Sequence, residues 1–184
     1  MQTKHVRRAG ALAAALAIGA TGIVSVGGAA GKAADGKTAK IKMVTEGKDL
    51  LFKGPNKVAA GDEIEVINKT DIEQVGPHTF TLAAKDELPE TKKELKDCEK
   101  FKTEYCLNIA EKHKVDFETG EVGKPTLDVG KEGWDKSFGK RGDSWFTGEL
   151  NESQSRVVSA KAGTKLYYFC VVHPFMQGKI KVTK

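Results

Sequence analysis

The sequence predicts an all-β chain, a Greek-key β-sandwich interrupted by one helical and loop insertion. Short apolar stretches recur between turn signals, and Glu63-Ile64-Glu65-Val66 shows the period-two alternation of a strand with one buried face. The texture changes once, between about residues 85 and 149, where charged residues crowd together. Behind the N-terminal apolar run, roughly 150 residues remain, enough for one core and too few for two.

In chain order, Lys4, Arg7 and Arg8 precede an uncharged run from Ala9 to Ala30 that ends in small residues. This is the layout of a secretory signal. Gly28-Ala29-Ala30 is the expected cut, with Ala34 as the alternative. The run is rich in Ala and Gly and poor in strong hydrophobes, so export outweighs a membrane anchor, and a tether would require the run to stay uncleaved. The Arg7-Arg8 pair matches a twin-arginine address only in the arginines themselves. The organisation expected is therefore a signal over 1–30, a linker over 31–39 and one domain over 40–184, exported to the periplasm or the extracellular space.

Ile41–Thr45 and Asp62–Asn68 read as the first strands, with Gly54-Pro55-Asn56 and Ala60-Gly61-Asp62 as turns. His78–Ala83, Ser155–Ala160, Lys165–Cys170 and Gly178–Thr183 continue the series. Within the insertion, Pro89 opens a helical stretch through Leu95, Phe101, Tyr105 and Ile109, followed by a Gly-rich loop to Trp145. Trp134 and Trp145 are expected to pack the insertion onto the sandwich. Asn68-Lys69-Thr70 and Asn151-Glu152-Ser153 match glycosylation acceptors, which matter only where the host modifies them.

Signal removal takes Lys4, Arg7 and Arg8 from the 30 basic residues and none of the 25 acidic ones. The mature domain is nearly neutral, so the sequence pI of about 9.0 does not point to a nucleic-acid partner.

Three cysteines in an exported chain, an odd number, ask for either one disulfide plus one special thiol or an intermolecular link. Cys98 and Cys106 lie together in the insertion, while Cys170 ends an aromatic strand. On one straight helix, eight residues would separate the two Cα atoms by about 12 Å, too far for a bridge. A disulfide between them therefore requires a turn.

The densest chemistry lies in Cys170-Val171-Val172-His173-Pro174-Phe175-Met176, which follows an aromatic strand and precedes Gly178 and another strand. A thiolate, an imidazole and a thioether on so short a loop form a soft, partly nitrogenous set suited to copper in both Cu(I) and Cu(II). His78, at the start of an upstream strand in Gly76-Pro77-His78-Thr79-Phe80, would complete two histidines and a cysteine with a weak axial methionine.

In these residues the chain resembles the cupredoxins of the plastocyanin and azurin superfamily, and its ligand loop is most similar to those of amicyanin and related small blue copper proteins. The resemblance covers about Lys40 to Ala83 and Asn151 to Lys184. It implies one type 1 copper held by His78, Cys170, His173 and Met176, with the exposed edge of His173 as the electron doorway and Pro174 and Phe175 shielding its ring. The long insertion departs from the small members of the family.

The expected function is one-electron transport by a monomer that meets a redox donor and acceptor, not an enzyme. A copper storage or delivery protein is the alternative, since it uses the same ligands. Larger copper enzymes need further histidines for a second centre, and beyond His5 in the signal the chain offers only His78, His113 and His173. His113, between Lys112 and Lys114 on a charged helix end, is expected to be solvated.

Overall fold

The computed structural model describes residues 36–116, 133–134 and 143–184. The expected signal, its cleavage site and the remaining parts of the insertion lie outside the described residues. Nine strands form two sheets: β1 (Thr38–Glu46), β2 (Asp49–Lys53), β3 (Lys57–Ala59), β4 (Glu63–Asn68), β5 (His78–Ala83), β6 (Ser144–Thr147), β7 (Ser153–Val157), β8 (Lys165–Phe169) and β9 (Gln177–Thr183). One sheet runs β2-β1-β4-β7 and the other β3-β9-β8-β5-β6. Both are mixed, because β1 pairs parallel with β4 and β3 parallel with β9 while their other pairings are antiparallel. This is the predicted all-β sandwich.

Alternation decides what each strand buries. Ile41 and Met43 on β1, Ile64 and Val66 on β4, and Ile180 and Val182 on β9 point inward, with lysines or glutamates between them. They join Phe80, Leu82, Leu166 and Tyr168 in one core. Phe52 stands edge-on to both Phe80 and Tyr168, an arrangement that ring quadrupoles favour. Gly178 faces Tyr168 across the β8–β9 pair, and a Cβ there would come within 2.4 Å of the tyrosine ring. Only glycine lets that ring lie flat against the strand.

β5 and β6 break the alternation, since every residue of both is buried. Phe80 and Leu82 face the core, while Ala83 belongs to a second apolar cluster with Phe169, Val171, Ile109 and the two insertion cysteines. The insertion therefore covers the outer face of the second sheet. It does so with two helices, α2 (Lys92–Glu99) and α3 (Glu104–Lys112), which follow the short α1 (Ile72–Val75) ahead of β5. Thr91 and Glu94 form a reciprocal capping box at the start of α2, and the Thr103 hydroxyl caps α3. Between them Phe101 takes a positive φ of 52°, ending one helix so that the next can turn back. That break brings the Cα atoms of Cys98 and Cys106 to 5.3 Å, and the predicted disulfide forms across it.

The structure adds to the sequence reading in several places. β2, β3 and β6 were not expected as strands, and β6 lies inside the stretch read as insertion. β1 begins at Thr38, within the expected linker, and β7 starts and ends before the predicted segment. Trp145 on β6 and Trp134 are both buried in the core, and the Trp134 indole donates to the Ile64 carbonyl at 3.3 Å. Among the described residues no helix is long and apolar enough to cross a membrane.

Closing a loop this short restricts the unfolded chain modestly. A Cys98→Ser/Cys106→Ser double variant should lose about 2 to 3 kcal/mol of stability while keeping its β-sheet circular dichroism. Urea unfolding checks this, and an unchanged midpoint would show that the bridge does not contribute.

Candidate metal centre

The turn into β5 sets the first functional side chain. α1 (Ile72–Val75) is a single turn capped by the Asp71 carboxylate, and it ends at Gly76 with φ of 77°. That conformation is cheap only for glycine. Pro77 then leads into His78, which is fully buried. The His78 Nε2 lies 2.8 Å from Thr70 Oγ1. Thr70 already donates its one hydroxyl proton to Asn68 Oδ1 at 2.6 Å, so the imidazole must be the donor. His78 therefore carries its proton on Nε2 and presents a bare Nδ1 to the interior. Asn68 is fixed in turn, accepting the Thr70 amide and donating to the Glu149 carbonyl. Its side chain is completely buried.

Cys170 follows β8, fully buried, at the start of a loop pinned at both ends. The Cys170 amide donates to the Met176 carbonyl at 3.0 Å, and the Met176 amide to the His173 carbonyl at 2.8 Å. The sulfur accepts the amides of Thr79 at 3.3 Å and His173 at 3.4 Å. Burial pushes the Cys170 thiol pKa up, while these N–H donors pull it down by favouring the thiolate.

Three donor atoms converge. His78 Nδ1 and His173 Nδ1 are 3.2 Å apart, and Cys170 Sγ lies 3.8 Å from the first and 3.9 Å from the second. A point equidistant from all three is about 2.1 Å from each, close to an ordinary metal–imidazole bond and slightly short for a metal–thiolate bond. Of the His, Cys, Asp and Glu side chains described, His78, Cys170 and His173 form a group able to hold a metal ion. Met176 is buried in the same core cluster as Cys170 and tied to it through the backbone. The donor chemistry fits a soft or borderline ion, and the Thr70 hydrogen bond that fixes the His78 tautomer is what ligand histidines require.

The cluster is sealed on the protein side and half open at His173, whose neighbour Phe175 is 54% exposed and packs edge-on against it. Pro174 is buried. Burial lowers the His173 pKa, partly offset by a hydrogen bond to the Val75 backbone and by the Glu99 carboxylate of α2. His113 is the correction: Lys112 and Lys114 are exposed as expected, but His113 itself is fully buried with its Nε2 2.6 Å from Ser144 Oγ. Its spacing gave the signal, since Cys106, Ile109, Ala110 and His113 are one helix face. Asn68, Thr70 and Thr79 were also missed as supporting residues.

No protein-family profile matches the chain, and no curated protein is similar to it in sequence. Solved structures similar to it include auracyanin B, at 12% identity over 80% of this chain and 89% of that one, with a TM-score of 0.41. Auracyanin A, a "blue" copper protein from Chloroflexus aurantiacus, matches at 15% identity over 79% of this chain and 98% of its own, with a TM-score of 0.39. Amicyanin from Paracoccus versutus matches at 18% identity, 81% and 82% coverage and a TM-score of 0.31.

The metal-free site should be acid-sensitive. Burial first, and the neighbouring His173 second, pull the His78 pKa from 6.5 down to about 4. The unfolded chain thus takes up the proton first, so the metal-free fold keeps its full stability above pH 6.5 and loses it as pH falls toward about 4. The loss from this group is at most about 3 kcal/mol. Urea unfolding of metal-free protein across that window checks the slope, which a His78→Asn variant should flatten.

Proposed function

We propose that this chain is an exported type 1 copper protein of the cupredoxin kind that carries single electrons. The observation that supports it is the buried triangle of His78 Nδ1, His173 Nδ1 and Cys170 Sγ, at 3.2 to 3.9 Å, with Met176 packed in the same cluster. Cys170 would supply a thiolate, His78 and His173 imidazole nitrogens, and Met176 a more weakly bonding thioether. When bound, copper alternates between Cu(I) and Cu(II), gaining or losing one electron.

The residues suit that task because they need not move. His78 is held in one tautomer by Thr70, and Cys170 by the Thr79 and His173 amides. A site this constrained resists rearrangement between oxidation states, which keeps electron transfer fast. Water is excluded on the buried side, and His173 beside Phe175 offers the short route to a redox partner. His113 is engaged away from the triangle, so the described residues supply no histidines for the second copper centre that larger copper enzymes need.

Copper-loaded mature protein should bind one ion and be intensely coloured when oxidised, and Cys170→Ser should abolish the colour. Met176→Gln should keep copper and colour while lowering the reduction potential, because an amide oxygen favours Cu(II) more than a thioether does. Voltammetry checks the second point, and a potential that stays or rises would remove Met176 from the ligand set. Rapid electron exchange with a reduced cytochrome supports the carrier, whereas transfer of copper to a metal-free acceptor without such exchange would favour a delivery role.

A further inference from the structure

His113 ends α3 against the outer face of the second sheet and starts a buried line of side chains that leads to the Cys170 sulfur. Its Nε2 is 2.6 Å from Ser144 Oγ. Ser144 Oγ is 2.8 Å from Thr81 Oγ1, its directly opposed partner across the β5–β6 pair. Thr81 donates to Thr79 Oγ1 at 3.1 Å. Thr79 Oγ1 also accepts the Val171 amide at 2.8 Å, and the Thr79 amide donates to the sulfur of Cys170 at 3.3 Å. All six of these residues are at most 1% exposed.

Counting protons gives the line a direction. A hydroxyl has one proton. Thr81 places its own on Thr79, so Ser144 is the donor between Ser144 and Thr81. Ser144 then has none left for His113, and the imidazole must donate from Nε2–H. Every link points the same way, from the insertion to Thr79, and hydrogen bonds in such a series polarise and strengthen one another.

We propose that His113 is a positioning residue for Cys170: by donating to Ser144 it sets the direction of the Ser144–Thr81–Thr79 chain and so fixes Thr79, whose amide donates to the sulfur and whose hydroxyl oxygen holds the Val171 amide beside it. The chain itself stands on the geometry alone. Its effect on a metal rests on the reading of Cys170 as a copper ligand, in which case hydrogen bonds to the sulfur draw charge from it and favour Cu(I). The insertion thereby tunes the site without touching it.

Two measurements test this. In metal-free protein, nitrogen NMR of the His113 ring should find Nε2 protonated, and a bare Nε2 would overturn the proposal because the chain would then run backwards. In copper-loaded protein, Thr81→Val, which preserves shape, and His113→Phe should each shift the thiolate charge-transfer band. Each should also change the affinity ratio for the two oxidation states by about three- to tenfold toward Cu(II). His113→Gln, which retains an N–H donor, should restore part of the shift. If His113→Phe does not fold, Thr81→Val decides. Variants that lose stability yet leave band and potential unchanged would show that the line is only structural. Wild-type protein that binds no copper, or shows no such band, would sink the copper reading instead, and the His113 tautomer would then decide the chain by itself.

Discussion

The antiparallel register of β5 on β8, with Thr81 opposite Phe169 and Ala83 opposite Tyr167, brings two segments remote in sequence into one frame. Extended past the end of β8, the same frame sets Thr79 beside the Cys170 loop, where its hydroxyl takes the Val171 amide and its own amide reaches the Cys170 sulfur. His78, one residue earlier, then faces inward toward that sulfur. A slip of one residue would turn His78 outward and Thr79 inward, because successive side chains on a strand point to opposite faces. Both apolar clusters oppose such a slip. Phe80 and Leu82 are bound into the sandwich core and Ala83 into the cluster beneath the insertion, so β5 is held on both faces.

This two-sided burial explains why the insertion is more than an appendage. An edge of an antiparallel sheet can face water on its outer side, but here Thr79, Thr81 and Ser144 carry their hydroxyls into a dry layer under α3. Buried hydroxyls are tolerated only when satisfied, and His113 supplies the terminal donor that lets the others line up. The disulfide and the turn at Phe101 fold α2 and α3 together over the same face. The insertion therefore fixes the polar surroundings of the sulfur as well as covering apolar surface.

Much of this was legible in the sequence because it is local. Cys170, His173 and Met176 share one loop, and their residue types point to soft-metal chemistry before any fold is known. His78 gave a weak signal taken alone, since a histidine after Gly-Pro has many uses, and the chain places it 3.8 Å from the sulfur by tertiary pairing. β6 was hidden because Ser144-Trp145-Phe146-Thr147 is buried on both faces and so lacks alternation. β2 and β3 were hidden by being short and partly exposed. His113 was misread because its two lysine neighbours dominate the local charge, while its helical partners sit three, four and seven residues back. The Asn68–Thr70–His78 relay was visible only as a sequon, since the direction of its hydrogen bonds depends on folded geometry.

The central claim is that Cys170 binds copper through its sulfur in a site with two imidazoles. The electron paramagnetic resonance spectrum of the oxidised, copper-loaded mature protein tests it most directly. A thiolate sulfur bonded to Cu(II) would take up much of the unpaired spin, so the predicted spectrum has an unusually small parallel copper hyperfine splitting. A large splitting typical of tetragonal Cu(II) with nitrogen and oxygen ligands, unchanged in Cys170→Ser, would contradict it.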